Sequence, residues 1–468
     1  MEDLAEFALD LCSAADYAEV RIEKQQSESF VVKNSIVEVG SFAEIKGIGV
    51  RALVDGCIGF VSTNILEKNH IKELVKKAIR IAKISRRLNK KPISFSKEKV
   101  HLANIVVKPK KDAFSIAADD KIRILTDIDK ELTSLPFKVP ARQLSFENSQ
   151  LSKIYMNTEG SKIKLSLPRL DFFWFITVAA KNDTRQRYLM YNETQGMEVL
   201  RKWNIKESIV DEAKALYSNI MKGVKCPKGA MDVIAGPEVV GIAVHESTGH
   251  PYEADRILGR EAAQAGESFV NQSMLGTRIG SDKVTVVDDP TIEGSPGFYL
   301  YDDEGVKARK RLLIKEGMIN EFLHNRETAK MLGIMSNAAA RAVSFEREPI
   351  VRMANTYMAT GDWGRDEIIE DTKKGIYVKN FMEWNIDDVR FNQKYVGAEA
   401  YLIKNGELAE PVINPVIEVT TPTFYKAIDA CAKDLEFYAG PCGKGEPMQA
   451  IPVSMGGPTI RLRGLRIP

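Results

Sequence analysis

The sequence predicts an α+β protein with two domains: an N-terminal α/β-type sandwich domain, followed by a mainly antiparallel β C-terminal domain that carries one apolar helix. Three observations lead to this prediction. The chain has 468 residues, more than a single domain usually contains. Its first half mixes helical periodicity with long stretches of alternating polarity, and its second half has many short strand-like runs broken by glycine and proline. We place the boundary between the predicted domains 1–225 and 226–468.

The first predicted domain opens with a helix, then strands, then a second helix. Residues 3–15 and 66–84 carry apolar side chains at helical spacing. Between them, segments that begin at Ala18 and Ser29 alternate in polarity as strands do. The Asp-Gly pair at 55–56 marks a hairpin turn.

Composition and spacing also assign the rest of this domain. Residues 86–111 are rich in lysine and arginine, which predicts a solvated basic linker in preference to a nucleic-acid contact. Residues 119–133 are predicted to be helical. Residues 143–195 alternate as antiparallel strands, with the aromatic run 172–175 in the sheet core or at an interface. A helix over residues 202–221 ends the domain.

The composition excludes several classes of protein. Lysine and arginine number 66 against 64 acidic residues, so no overall field selects nucleic acid as a partner. The longest apolar run, Phe172–Ala180, is far shorter than the roughly 20 residues of a membrane span. The first residues lack the basic and apolar regions of a secretion signal. The five cysteines are scattered without a CxxC pair, which predicts a cytoplasmic protein without disulfides.

Two of the five histidines fall within one short segment, HESTGH at residues 245–250. Five histidines in a chain of this length would give roughly 0.04 pairs at a chosen offset, so chance is a poor explanation. A short strand is predicted at 231–235. Gly236 and Pro237 then open the apolar helix of the C-terminal domain, which ends in this segment. His245, Glu246 and His250 are therefore candidates for metal chemistry.

The spacing of these histidines differs from the usual zinc-peptidase pattern. HExxH places two histidines four residues apart on one helix face, whereas an offset of five rotates the second by about 140°. His245 and His250 can face one metal only if the helix widens into a π-bulge or ends. Gly249 and Pro251 favour irregular backbone over residues 247–251. The alternative is a pair of hydrogen-bonded histidines at a helix end, with Glu246 at the surface.

A catalytic zinc normally takes three protein ligands and leaves a position for water. Spacing alone leaves the third ligand open among Glu253, Asp255, His324, Cys431 and Cys442. We expect His324, in a predicted helix over residues 320–331, to be structural. Cys431 is expected to be a small buried side chain.

Two further groups of polar residues have alternative interpretations. The acidic pairs at 288–289 and 302–303 could form a second cation site, but consecutive carboxylates point apart on a strand, which favours turn and cap roles. Arg352 and Asn355 could bind the backbone or carboxylate of a peptide substrate, or could stabilise the core. The sequence favours neither role for this second group.

These residues resemble the TldD/PmbA family of metallopeptidases, and in particular its TldD-type members, which carry HExxxH. The resemblance covers essentially the whole chain. The matching segments are Ala18–Arg21, Gly49–Phe60, His245–His250, Glu253–Asp255, Val287–Asp289, Asp302–Gly305, Arg352–Tyr357, Glu399–Leu402 and Gly440–Lys444. The chain departs from the common family pattern at residues 381–388, where a glycine-rich stretch is frequent, and at 445–450. We expect these departures to affect substrate preference more than catalysis.

The resemblance implies specific roles for the matching residues. His245, His250 and Cys442 would bind one zinc per chain, and Glu246 would act as general base on a metal-activated water. Glu253 and Asp255 would support the ligands.

The resemblance also implies a zinc-dependent peptidase that hydrolyses unfolded or short peptides. It would form a homodimer, or a heterodimer with a PmbA-type subunit that lacks the metal motif. One alternative is a non-catalytic regulatory or binding subunit of such a complex, with a structural zinc. Another is a metal-dependent hydrolase of non-peptide amides.

Overall fold

The computed structural model describes residues 1–88, 91–261 and 266–468, and it has a mixed α+β fold with mostly antiparallel sheets. The predicted fold class is therefore confirmed. The helices are α1 (Glu2–Asp10), α2 (Lys68–Ser85), α3 (Ala118–Thr133), α4 (Val199–Trp203), α5 (Ile205–Lys222), α6 (Pro237–Val244), α7 (Ala254–Ile257), α8 (Arg326–Met331), α9 (Arg365–Glu370) and α10 (Thr421–Ala427). Short 3₁₀ turns lie at Ala113–Ser115 and Gln272–Met274. None of the helices in the described ranges is long and apolar enough to cross a membrane.

The first half of the chain forms one sheet. Its strands are β1 (Tyr17–Lys33), β2 (Ile36–Val54), β3 (Cys57–Thr63), β4 (Leu102–Val106), β5 (Lys138–Asn157), β6 (Lys162–Ala180) and β7 (Asp183–Glu193). They lie in the order β3-β2-β1-β5-β6-β4, and β7 pairs with the other half of β6. The pairs are antiparallel except for β4 with β6.

The alternation of β1 explains the two layers of this domain. Ala18, Val20 and Ile22 lie on one face and pack with α1 and α2 in an apolar cluster. Glu19 and Arg21 lie on the opposite face and are also buried. One side of the sheet is therefore covered by helices, and the other carries buried charges that need partners.

The second half of the chain supplies those partners. Arg51 forms an ion pair with Glu19 at 2.9 Å and donates to Glu304 at 2.7 Å. The backbone N–H of Phe345 donates to Glu23 at 2.9 Å. The polar face of the first sheet is thus held against residues 304–345 by buried ion pairs and hydrogen bonds.

The second half forms further sheets. The strands are β8 (Val224–Lys225), β9 (Gly229–Ala235), β10 (Val286–Asp288), β11 (Arg311–Lys315), β12 (Met318–Ile319), β13 (Ala340–Arg341), β14 (Ile350–Val351), β15 (Asn355–Met358), β16 (Lys374–Val378), β17 (Phe381–Ile386), β18 (Asn392–Gly397), β19 (Ala400–Lys404), β20 (Glu407–Ile413), β21 (Val416–Thr420), β22 (Ile428–Cys431), β23 (Glu436–Lys444), β24 (Gln449–Gly457) and β25 (Ile460–Ile467). One sheet has the order β12-β11-β10-β15-β24-β23, and another β22-β25-β9-β16-β19-β20-β8. The strands β17, β18 and β21 form a smaller antiparallel sheet, and β13 pairs with β14.

The apolar helix α6 lies directly against β24. A Cβ atom at Gly241 would lie only 3.1 Å from the backbone nitrogen of Gly456, so glycine at this position allows the close approach. Val240 and Val244 are fully buried in the core of the second half. The prediction of a buried helix after a strand at 231–235 is confirmed.

Several predicted elements have different bounds. The helix predicted over 202–221 is interrupted at Asn204, which has a left-handed backbone (φ +47°) between α4 and α5. The helix predicted over 320–331 is wrong in its first half. Asn325 caps α8 by accepting from the backbone N–H of Thr328, so His324 precedes the helix.

The predicted basic linker 86–111 contains a strand. Asn89 and Lys90 lie outside the described residues, but Leu102–Val106 form β4. Within the segment, Ile93 donates to the carbonyl of Gly56 at 2.7 Å. The segment is thus more than a connection, because it adds a strand to the first sheet, and its interpretation as a basic linker stays a prediction.

The predicted boundary between residues 225 and 226 follows β8, which pairs with β20. The division into two domains at that point stays a prediction.

Candidate metal centre

The helix that carries the histidines widens at its end. Residues His245–Gly249, which follow α6, form a π-helical turn. Its hydrogen bond runs from the backbone N–H of His250 to the carbonyl of His245, five residues earlier, at 3.2 Å. The two imidazole rings meet edge to face with centroids 5.0 Å apart. The predicted irregular backbone is confirmed, and it brings two histidines at an offset of five to one side of the turn.

Buried neighbours stabilise the widened turn. The Ser247 hydroxyl donates to the carbonyl of Ala243 at 2.5 Å, a bond that commonly bends helices. The hydroxyls of Ser247 and Thr248 both bond with the Tyr425 hydroxyl. A Cβ atom at Gly249 would lie 2.2 Å from Sδ of Met353, so a larger residue would have to displace this buried side chain.

Strand β23 brings a cysteine to the two histidines. Sγ of Cys442 lies 3.4 Å from Nε2 of His250. The possible ligand atoms of His245, His250 and Cys442 all lie within 4.8 Å of one another, and all three side chains are buried. Within the described parts of the chain, these three side chains form the group of possible metal ligands that lie close enough together to hold one ion.

The other candidates for the third ligand lie elsewhere or have other partners. Nδ1 of His324 bonds with the hydroxyl of Thr328 at 3.3 Å. The Cys431 thiol donates to the carbonyl of Lys283 at 3.8 Å, and burial raises its pKa to about 12. Both residues are buried, as the sequence predicted for structural roles.

The three grouped side chains suit a zinc ion. Nδ1 of His245 is buried and has no hydrogen-bond partner, so this nitrogen is available as a ligand atom for a metal ion. Burial lowers the pKa of His245, which favours the neutral imidazole that binds metals. Burial alone would raise the pKa of the Cys442 thiol, but the charges of His250 and Arg352 lower it from 9.0 to about 7. Two imidazoles and a readily formed thiolate are ligands that zinc prefers.

Glu253 supports both sides of the centre. Its Oε2 lies 3.3 Å from Nδ1 of His250, which leaves the other ring nitrogen directed at Cys442. Nζ of Lys444, two residues after Cys442, lies 3.1 Å from the same carboxylate and 2.6 Å from Asp255. Burial would raise the pKa of Glu253, but the charges of Lys444 and His250 hold it well below its usual value. Such outer contacts orient metal ligands.

Glu246 lies beside the histidines and is held by two residues of a neighbouring hairpin. Its Oε2 accepts from Nη1 of Arg390 at 2.7 Å, and its Oε1 accepts from Nε1 of Trp384 at 3.3 Å. Burial would raise the pKa of Glu246, but the charges of His250, His245 and Arg390 lower it. At neutral pH the side chain is therefore a carboxylate that can accept a proton. The alternative that places Glu246 at the surface is wrong, because this side chain is buried.

Trp384 and Arg390 were not among the predicted site residues. Trp384 lies in the segment 381–388 that departs from the common family pattern, and this departure was the available signal. Arg390 lies in the following loop and carries no local signal, because its approach to Glu246 depends on the pairing of β17, β18 and β21.

The candidate substrate-binding residues direct their polar atoms at the protein itself. Arg352 donates to the carbonyl of Gln449 at 2.8 Å and to that of Cys442. Nδ2 of Asn355 donates to the carbonyl of Asp289 at 2.6 Å. Both side chains are fully buried, and they stabilise the strands that present Cys442. Their assignment to substrate stays a prediction.

One residue of each acidic pair has the turn role that the sequence favoured, whereas Asp288 pairs with the buried Arg311 and Asp303 pairs with Lys153. Asp289 accepts from the backbone N–H of Thr291 at 2.9 Å. Asp302 accepts from the backbone N–H groups of Glu304 and Val306 at 3.0 and 2.9 Å. The carboxylates of Asp289 and Asp302 therefore hold local backbone turns.

Comparison with known proteins gives the family. The family model described as the PmbA/TldA metallopeptidase C-terminal domain matches residues 228–468, and the model of PmbA/TldA metallopeptidase domain 1 matches residues 18–82. The chain belongs to the PmbA/TldA metallopeptidase family. Its resemblance to TldD/PmbA proteins is thereby confirmed.

Relatives in this family align over nearly the whole chain. A metalloprotease of Methanocaldococcus jannaschii is 33% identical over 451 residues, which cover 96% of this chain and 97% of the relative. A protein of Saccharolobus solfataricus named a zinc metalloprotease TldD homolog is 26% identical, and the alignment covers 97% of this chain and 96% of that relative.

Solved structures share the fold. TldE from Thermococcus kodakarensis superposes with a TM-score of 0.77 at 17% identity, over 100% of this chain and 99% of its own. A protein of Thermotoga maritima described as a putative modulator of a DNA gyrase gives 0.79 at 15% identity over the full length of both chains.

Proposed function

We propose that this PmbA/TldA family member is a zinc-dependent peptidase that hydrolyses unfolded or short peptides. One zinc per chain is held by His245, His250 and Cys442, and Glu246 is the general base. The observation that carries this proposal is the grouping of three possible ligand atoms within 4.8 Å of one another, next to the buried carboxylate side chain of Glu246. The names of the relatives, which are metalloproteases, support the same class of activity.

The arrangement supplies the parts that hydrolysis of an amide needs. A bound zinc would lower the pKa of a coordinated water to about 7 and polarise a substrate carbonyl. Glu246 accepts the proton of the attacking water and later passes it to the leaving amine. Three protein ligands leave a coordination position for that water. Glu253 keeps the His250 ring in place throughout, because its carboxylate bonds with the opposite ring nitrogen.

The burial of the site supports a flexible substrate. Only 9% of the Glu246 side chain is exposed, so the surface of a folded protein does not reach it. Trp384, with 37% of its surface exposed, marks where the site approaches solvent. A single extended segment of polypeptide needs less space to reach such a site than a folded protein does, which favours short peptides and unfolded chains as substrates.

The alternative function is that of a non-catalytic regulatory or binding subunit with a structural zinc. Its support is the near-complete burial of all three ligands. A structural zinc normally has four protein ligands, however, and a carboxylate that is poised beside the metal has no role in it. The structural neighbour TldE supports the further proposal of a TldD/TldE-type heterodimer, with a homodimer as the other outcome of a mass measurement in solution.

The test is hydrolysis by purified protein that is first stripped of metal and then restored with zinc. The substrates are short peptides, one protein in folded and in unfolded form, and a set of non-peptide amides. We expect zinc-dependent cleavage of the peptides and of the unfolded protein only. Stoichiometric zinc without any cleavage would instead support the structural role, and cleavage of the non-peptide amides alone would support a different hydrolase.

A further inference from the structure

Glu246, the proposed general base, accepts two hydrogen bonds, and the one from Arg390 is the shorter. Its Nη1 lies 2.7 Å from Oε2 of Glu246, whereas Nε1 of Trp384 lies 3.3 Å from Oε1. Hydrogen bonds between two charged groups are the stronger kind, and a contact at 3.3 Å is weak. The two carboxylate oxygens of Glu246 are therefore not equivalent: one is firmly bonded and the other is more available to take up a proton.

The loop that presents Arg390 is fixed on both sides. Within the loop, Asp387 accepts from the backbone N–H groups of Phe391 and Asn392 at 2.7 and 3.1 Å. From the first residue of α10, the Thr421 hydroxyl donates to the carbonyl of Arg390 at 2.9 Å. A rigid loop of this kind can hold a guanidinium at a set distance from its target.

Phe269 makes two further contacts with this loop. The backbone N–H of Phe269 donates to the carbonyl of Val389 at 2.9 Å, and the Phe269 ring meets Phe391 edge to face. The loop holds Arg390 in a left-handed backbone conformation, with φ +67°. Residues other than glycine rarely adopt this backbone conformation, and it is commonly retained where function requires it.

The ion pair is poorly built for stability alone. The Arg390 side chain is 14% exposed, and its Nε is buried without a hydrogen-bond partner. Removing a guanidinium from water while one donor stays unsatisfied costs folding free energy, which offsets the gain from the pair. A structural role therefore explains the pair less well than a role in holding Glu246.

We propose that Arg390 is a positioning residue for the hydrolytic step, and this inference rests on the proposed peptidase function. Arg390 holds Oε2 of Glu246, so that Oε1 faces the attacking water and accepts its proton. The indole of Trp384 limits rotation of the carboxylate, and its ring is itself packed edge to face on Phe381 at 5.5 Å. A displacement of a catalytic group by about 1 Å can lower the rate of the reaction by about 10²-fold.

The experiment compares Arg390→Ala and Arg390→Lys with Lys394→Ala, which removes a cation from the same hairpin without touching Glu246. We expect Arg390→Ala to lower kcat by about 10- to 100-fold, with KM and zinc content close to those of the wild type. Thermal stability should fall, because the buried Glu246 carboxylate loses its charged partner. Arg390→Lys should retain part of the activity, and added guanidinium ion should partly restore Arg390→Ala. Lys394→Ala should leave all of these values unchanged.

Two results would overturn the inference: an unchanged kcat in Arg390→Ala, or a loss of activity that is explained by an equal change in KM or in zinc content. Crystal structures of the wild type and of Arg390→Ala give a readout that is independent of activity. We expect the Glu246 carboxylate to be ordered in the wild type and rotated or spread over several positions in the variant. If the wild type cleaves no peptide, the proposed function fails, and an unmoved Glu246 in the variant would then also contradict the positioning role.

Discussion

Sγ of Cys442 lies 3.4 Å from Nε2 of His250, although 192 residues separate the two in the sequence. β23 brings the cysteine to this point, and the π-helical turn after α6 brings the histidine. An unfolded chain holds such distant groups together only at a large cost in entropy. The proposed zinc site therefore exists only in the folded protein, and zinc binding should report on the tertiary structure.

Replacing the cysteine tests the membership of the site. We expect Cys442→Ser to weaken zinc binding by at least about 100-fold, because even outer contacts of a metal ligand contribute 10- to 100-fold. Cys431→Ala is the matched control, since this buried cysteine bonds with the carbonyl of Lys283 instead. Competition with a coloured chelator measures both affinities. Equal affinities in the two variants would exclude Cys442 as a ligand.

Glu253→Gln tests the support of His250. The change removes a charge that bonds with His250 and lies 3.1 Å from Lys444, so zinc affinity should fall by about 10- to 100-fold. Asp255→Asn is the control, because Asp255 contacts Lys444 without contacting a ligand. Both variants should lose stability, as buried ion pairs do when one partner is removed. A similar loss of zinc affinity in both would contradict a specific role for Glu253.

Gly249→Ala tests the space that the widened turn needs. The new methyl group would lie 2.2 Å from Sδ of Met353, and we expect about 1–3 kcal/mol less free energy of unfolding. Met353→Ala alone should also be destabilising, because it removes buried volume. The double variant should be more stable than the sum of the two losses predicts, since the smaller side chain relieves the clash. Urea unfolding measures all three, and strict additivity would contradict the clash.

Zinc binding should depend on pH through Cys442. Burial would raise the pKa of this thiol, but the charges of His250 and Arg352 lower it from 9.0 to about 7. Zinc binds the thiolate, so affinity should change little above about pH 7 and fall by at least about tenfold per pH unit below it. Chelator competition across this range measures the effect. Affinity that still rises steeply up to pH 9 would indicate an ordinary thiol.

The same pKa shift should affect the metal-free protein. Because the folded pKa is the lower one, the thiolate contributes stability that is complete above the pKa of the unfolded thiol, 9.0. That contribution is lost as the pH falls through about 7. Cys442→Ser should remove this component of the pH dependence of unfolding, which denaturant titrations of the metal-free proteins can measure.

The sequence was a good guide wherever local patterns determine the structure. Period-two alternation predicted the long strands over residues 143–195, and the five-residue offset with Gly249 and Pro251 predicted the widened turn. The third ligand was different, because spacing left five candidates open. Only the family resemblance pointed to Cys442, since no local signal reveals which distant strand lies beside α6.

The failures have identifiable physical causes. Apolar spacing over residues 320–331 suggested one helix, but the side chain of Asn325 caps the backbone and starts the helix there. Arg390 was missed because a loop residue acquires its role from sheet pairing that brings it to Glu246. Both cases depend on polar contacts of side chains that hydrophobic periodicity does not record.

The most direct test of the account is peptide hydrolysis and zinc content measured on the same samples of Glu246→Gln and the wild type. Glu383→Gln, which changes an exposed carboxylate on β17, is the matched control. Because Glu246 is proposed to transfer protons and not to bind the metal, Glu246→Gln should keep its zinc and lose about 10²- to 10⁴-fold in kcat/KM. Hydrolysis by zinc-loaded Glu246→Gln at the wild-type rate would contradict the account.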